Sequence, residues 1–231
     1  MLTGRYTFVK NAEAAIELLK DADSDRRRAI AEYLGKEKDP IATEPLIKLL
    51  EDHNLIVRSA AADALGEIRD ARAVESLVLA LRDVEECVAL SAAEALGKIG
   101  DGRAVDSLAE ALHGESRRLK DTAARALGVI GDIRAVSPLI EALASEHKSL
   151  RENAAEALGR LKDARAVRPL AHLLEDDKQS VQEKAIKALG EIGKPALGSI
   201  SQALNHKNKR VRNAAKAILE LLNSGEQDEI K

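Results

Sequence analysis

Apolar residues recur along this chain in two alternating helical patterns, each closed by a polar turn. The longer pattern reads Val57, Ala61, Ala64, Leu65 and Ile68, spaced i, i+4, i+7, i+8 and i+11, which is one stripe of an α-helix. It returns as Val88, Leu96 and Ile99; Leu119, Leu127 and Ile130; Leu150, Leu158 and Leu161; Val181, Leu189 and Ile192. Between these stripes lies a shorter pattern built on Leu46, Leu77, Leu108, Leu139 and Leu170. Apolar pairs such as Leu49-Leu50 and Leu173-Leu174 follow it. The patterning predicts an all-α chain in which a helix A and a helix B alternate, with both apolar stripes forming the core.

The alternation is strictly periodic. Gly35, Gly66, Gly97, Gly128, Gly159 and Gly190 each lie 31 residues from the last. A short unit repeated at fixed period cannot bury its own apolar face and is stabilised by stacking on its copies. Each unit opens on an Asp (Asp39, Asp70, Asp101, Asp132, Asp163) placed to cap helix A. Pro40 follows the first of these at a position that needs no N–H. Pro45, Pro138 and Pro169 share a column near the start of helix A, where each is expected to remove one ladder bond and bend the helix.

Glycine inside a helix costs about 1 kcal/mol against alanine, so the column must serve packing. The column four residues earlier is also small (Ala31, Ala62, Ala93, Ala124, Ala155, then Ile186). In the final unit, whose offset shortens to 30, these two columns read Lys216 and Glu220, a pair suited to solvent. The small side of helix B is therefore expected to face the next repeat, with the last unit as a cap. At the other end Ile16, Leu18 and Leu19 match Ile47, Leu49 and Leu50, while Ala15, Tyr33, Tyr6 and Phe8 read as an N-terminal cap.

The sum is about seven helix pairs, at 10–36, 39–68, 70–99, 101–130, 132–161, 163–192 and 194–222. They form one solenoid over 1–223, and residues 224–231 read as a flexible polar tail. Stacked about 9–10 Å apart, the pairs would span about 60–70 Å.

The unit Asp-Ala-Arg-Ala-Val…Leu…Val-Arg-x-x-Ala-Ala-x-Ala-Leu-Gly, seen at 70–97 and again with substitutions at 163–190, resembles the HEAT repeat. It is most similar to the short HEAT-like subclass first recognised in phycobilin lyases. That resemblance covers nearly the whole chain and implies a right-handed α-solenoid (an α-α superhelix) whose helices B line the concave surface. It implies little about activity, because the family holds scaffolds, lyase subunits, a di-iron hydroxylase and engineered binders.

Composition narrows the chemistry. Charged residues make up 32% and aromatics 1%, with no Trp and one Phe, so the core is aliphatic. A net charge of −3 predicts neither nucleic acid, membrane nor an acidic substrate. One cysteine, Cys87, excludes an internal disulfide and fits a reducing compartment. With no apolar run of leader or membrane-span length, a cytoplasmic protein is expected.

Enzyme signatures are absent. Hydroxylases of the deoxyhypusine type carry His-Glu pairs at the start of helix B. The matching positions here are Arg58-Ser59, Ala89-Leu90, Lys120-Asp121, Arg151-Glu152, Gln182-Glu183 and Arg212-Asn213. The five histidines (53, 113, 147, 172, 206) fall in other columns, mostly turns, without recurring ligand spacing. No nucleophile–base set and no phosphate-cradling loop is present. No cofactor, metal or catalytic residue is expected.

What remains is a stripe on helix B that neither core nor neighbour claims. It holds Ile56, Ser59 and Asp63; Cys87, Leu90 and Glu94; Arg118, Asp121 and Arg125; Glu152 and Glu156; and Glu183 and Lys187. Its residues vary between repeats while the core columns do not, and these thirteen are the candidate partner-binding positions. Ile56, Cys87 and Leu90 are expected to form a small apolar anchor. Arg27, Arg58, Lys120, Arg151 and Arg212 form a cationic column read as pairing with turn carboxylates such as Asp52 and Asp83. Arg72, Arg103, Arg134 and Arg165, beside the capping Asp, are also read as structural.

The expected function is a non-catalytic scaffold binding a protein or peptide, as a monomer. Alternatives are a phycobilin-lyase-like subunit or chaperone, from the resemblance alone, and a nucleic-acid binder. The last would use Arg26-Arg27-Arg28, Arg117-Arg118-Lys120 and the run Lys207, Lys209, Arg210, Arg212. Without aromatic stacking residues, and with acidic neighbours throughout, it is the least favoured.

Overall fold

A computed structural model of the protein describes residues 11–228. Within them the chain is an all-α solenoid of fourteen α-helices in seven pairs. The pairs are α1 (Ala12–Leu18) with α2 (Ser24–Glu37), α3 (Thr43–Leu49) with α4 (Leu55–Ile68), and α5 (Val74–Ala80) with α6 (Glu86–Ile99). Next come α7 (Val105–Ala111) with α8 (Arg117–Ile130) and α9 (Val136–Ala142) with α10 (Lys148–Leu161). The last are α11 (Val167–His172) with α12 (Gln179–Ile192) and α13 (Leu197–Ala203) with α14 (Lys209–Asp228). Helix α14 continues past Ser224 into the stretch read as a tail, and residues 229–231, like Tyr6 and Phe8, lie outside the described residues.

The even-numbered helices, from α2 through α12, are helices B and hold 14 residues each; the odd-numbered ones hold six or seven and, from α3 on, are entered through a single 3-10 turn. The Asp column sets that turn. Asp70, Asp101, Asp132 and Asp163 each accept the N–H two residues on, at 2.8–2.9 Å. Pro45, Pro138 and Pro169 are the third residues of α3, α9 and α11. First-turn N–H groups have no α-helical partner, so these prolines remove no ladder bond, contrary to the expectation.

The chain divides into two compact units, one reaching to Ser107 and the other starting at Leu108. In the first, α2, α4 and α6 pack side by side, with α1, α3 and α5 against them. In the second, α8, α10, α12 and α14 do the same, with α9, α11 and α13 behind. The core lies between the two helix layers. Leu34, Leu46, Leu65, Leu77 and Leu96 are fully buried in the first unit, and Leu127, Leu139, Leu158, Leu170 and Leu189 in the second. At the start, Leu18 is 50% exposed and Leu19 half-buried, unlike the buried Leu49 and Leu50 they match, while Ile16 is half-buried like Ile47.

The glycine column explains how closely helices B approach. A Cβ on Gly35 would stand 2.8 Å from the Cα of Ala64, and one on Gly66 2.8 Å from that of Ala95. Gly128 meets Ala157 and Gly159 meets Ala188 in the same way, at 2.8 and 2.9 Å. At the last step Gly190 faces the flexible side chain of Ile218. Lys216 and Glu220 are exposed, as expected of a terminal face.

Candidate functional site

Two arginine columns are consumed in joining repeats. Arg27, Arg58 and Arg151 each fork onto the turn Asp of the following repeat (Asp52, Asp83, Asp176), with Nε–Oδ2 distances of 2.7 Å. Their Nη1 groups donate at 2.8 Å to carbonyls of their own A–B turn (Ala22, Asp52 and Ser145). One guanidinium therefore closes its own turn and grips the next. Arg72 and Arg103 lean on Asp70 and Asp101 and reach back to the Pro40 and Ala71 carbonyls at 2.8 and 2.7 Å. Both columns are structural. Arg72, with burial opposing it and the Arg72 amide and Thr43 hydroxyl assisting, holds the Asp70 carboxyl down at about 2.

The remaining stripe is narrower than its sequence register. Columns at 56 and 63 are the most open: Ile56 is 48% exposed, and Asp63, Cys87, Glu94, Arg118, Arg125 and Lys187 are exposed, while Glu156, Ser149 and Ser180 are half-buried. Leu90 is only 9% exposed, so the expected apolar anchor keeps Ile56 and Cys87 but loses Leu90. Its column, with Ser59, Asp121, Glu152 and Glu183, is half-buried because it faces the edge of the neighbouring helix. The next column is tighter still, with Ala60 and Thr122 at 8% and 5%.

In the first unit the stripe borders a cleft of ≈ 450 Å³ between α2 and α4. Ile56, Ser59, Asp63 and Glu67 line one wall, and Arg28, Glu32 and Lys36 the other. The Ser59 and Ser91 hydroxyls meet at 2.9 Å, tying α4 to α6. Asp63 is exposed along the stripe, yet its carboxyl stands in the cleft, and the loss of water there pushes it above its usual range; Glu94 and Glu67 add to the push, and the Ser91 hydroxyl and Lys98 oppose it. Glu67 is the reverse case, held low by Lys98 at 2.8 Å and Lys38 at 3.2 Å.

In the second unit the stripe is laced with charge pairs. Glu156 takes Lys184, which holds its carboxyl below the usual range, and also Arg160 at 2.9 Å. Lys148 lies 3.5 Å from Glu152, Arg210 lies 3.1 Å from Glu183 and Lys187 lies 3.6 Å from Glu191. Arg125 donates to the Thr122 hydroxyl at 3.1 Å. Asp121 Oδ1 is buried without a hydrogen-bond partner among the described residues. Val84 is 93% exposed, an apolar residue in a turn column that elsewhere carries His53, Glu115, Glu146 and Asp177.

Among the described residues no group of three or more His, Cys, Asp or Glu is placed to hold a metal ion, and no helix is long and apolar enough to cross a membrane. The family model for HEAT repeats matches residues 12–93, 76–149 and 136–220. The chain belongs to the HEAT-repeat family. This HEAT-repeat protein is similar to the complex of CpcE and CpcF of phycocyanin lyase from Nostoc sp. PCC7120, with TM-score 0.62 and 23% identity over 96% of each chain. It is also similar to an engineered protein, with TM-score 0.63 and 23% identity over 92% of this chain and 68% of that one. At such identities the likeness is one of fold. No curated protein matches the sequence.

Proposed function

We propose that this HEAT-repeat protein is a non-catalytic scaffold that holds a protein or peptide partner on the open stripe of helices B. One observation carries the reading: chemistry varies over fixed geometry. The glycine column keeps one residue type through six repeats and the capping Asp column through five, whereas the columns at 56 and 63 read Ile56, Cys87, Arg118, Ser149, Ser180 and Asp63, Glu94, Arg125, Glu156, Lys187. Repeat proteins use such surfaces for binding because the backbone supplies rigidity and each repeat one exchangeable contact. Asp63 adds support. Its carboxyl is raised by loss of water in the cleft and by like charges, and a cationic partner group would relieve both.

Nucleic acid fits poorly. Arg27 and Arg212 are committed to turns, Arg28 lies 3.5 Å from Glu32, and Lys207 and Arg210 lie 3.2 and 3.1 Å from Glu175 and Glu183. A second reading, a lyase-like subunit, is supported by the fold of the CpcE–CpcF complex over 96% of both chains. Covalent attachment of a bilin to apo-phycocyanin on adding this chain would favour it over a plain scaffold.

The direct test is capture of a partner by the native protein, then titration against Asp63→Lys and the pair Arg125→Glu with Glu156→Lys. Folded variants, checked by circular dichroism, should bind at least 10-fold more weakly. Unchanged affinity in both would remove the stripe as the binding surface.

A further inference from the structure

The joint between the sixth and seventh pairs is built from different chemistry. In three earlier turns Asp52, Asp83 and Asp176 accept the N–H two residues on, at 2.9 Å each, and receive an arginine from the preceding helix B; the fourth and fifth turns carry Gly114 and Ser145 there, opposite Ala89 and Lys120. The last turn has His206 in that place, 8% exposed, and the arginine column has Gln182, 4% exposed. His206 Nδ1 accepts the Asn208 N–H at 3.0 Å, and Nε2 lies 2.7 Å from the Leu174 carbonyl oxygen. Gln182 donates to the Asp176 carbonyl at 2.7 Å and accepts from the Asn208 side-chain amide at 2.8 Å.

These contacts select one ring state. An Nδ1 that receives a backbone N–H carries no hydrogen, so the hydrogen sits on Nε2 and is donated to Leu174. The imidazole is neutral. A second proton can go only to Nδ1, where it would face the Asn208 N–H, donor against donor. The turn bond and the charged ring exclude each other.

We propose that His206 makes the α13–α14 pair acid-releasable: taking up a proton at Nδ1 opens the last turn and loosens the pair from α12. The surrounding charges leave this coupling in place. Glu175 lies 3.5 Å from Nε2, which carries hydrogen in both states, so its attraction cannot restore the bond at Nδ1. Lys207 is held by Glu175 at 3.2 Å, and Arg212 on α14 donates to the His206 and Lys207 carbonyls at 2.6 and 2.8 Å; both disfavour added positive charge. From α12, Glu183 is taken by Arg210, and the Asp176 carboxylate by Arg151. Helix α13 brings no titratable side chain.

The test is amide hydrogen exchange of the full chain between pH 7.5 and 5, corrected for intrinsic rates and read separately over α10 and α13–α14. The opening constant of α13–α14 should rise as pH falls, by up to 10-fold per pH unit, the limit for one proton, while α10 stays flat. His206→Asn keeps an acceptor without a titrating ring and should abolish the rise. If that variant is too unstable to measure, His206→Asp, the residue of the turns at Asp52, Asp83 and Asp176, should do the same. A wild-type opening constant independent of pH, or the same rise in the variants, would overturn the proposal.

Discussion

A single missing carbon at Gly128 lets α8 and α10 lie as close as they do. Alanine favours the helix by about 1 kcal/mol, yet its Cβ would stand 2.7 and 2.8 Å from two atoms of Ala157, one of them backbone. Gly128→Ala should therefore destabilise by about 1–3 kcal/mol, the usual cost of overpacking, seen as a lower urea midpoint with unchanged slope. The opposite holds at Lys162, which ends α10 with φ 54° in the left-handed region where its counterparts Gly100 and Gly131 carry glycine. There Lys162→Gly should raise stability by about 0.5–1 kcal/mol, read from the same midpoint. Leu90 shows where residue-level reading stops. Its column elsewhere holds Ser, Asp and Glu, and only the proximity of a neighbouring helix makes it a buried position.

Helices of seven residues have no stability of their own in water, so each element is held by its neighbours and by the staples between turns. Arg151 and Asp176, 12% and 9% exposed, are nearly removed from solvent. Arg151→Gln leaves that carboxylate short of its cation and should cost about 2–4 kcal/mol. Arg160→Gln breaks a pair with Glu156 that is 47% and 30% exposed and should cost under about 1 kcal/mol. Chemical denaturation of the two variants side by side separates the cases, and equal losses would mean that the staple adds nothing beyond surface pairing. This ladder was legible beforehand, because an arginine 25 residues before an aspartate recurs in phase with the repeat. It lapses at Ala89 with Gly114 and at Lys120 with Ser145, and the substitute joint at Gln182 and His206 was not legible, since no spacing rule equates an imidazole with a carboxylate as acceptor of a turn N–H.

Across the molecule the capping aspartates act together. Arg72, Arg103, Arg134 and Arg165 hold the carboxyls of Asp70, Asp101, Asp132 and Asp163 below the usual range, Asp70 at about 2. A carboxyl lowered by folding contributes stability above its unfolded value, roughly pH 4, and that contribution is lost as pH falls through the folded value. Helicity followed from pH 5 to pH 1.5 should accordingly fall away mainly below pH 4, in both units. Thermal stability that stayed level down to pH 2 would contradict this account.

The order of helices, their count, most of the core leucines, the capping aspartates and the close side of helix B were determined by sequence alone. Each depends on a local spacing repeated in phase, and a repeated unit has one way to stack that buries every copy of its stripe. The tertiary structure alone decided which polar-looking positions are open, which cations are already bound and which ring state the last turn demands. Those outcomes depend on interhelical distances of a few ångströms, which the backbones of neighbouring repeats set and no periodicity along the chain encodes.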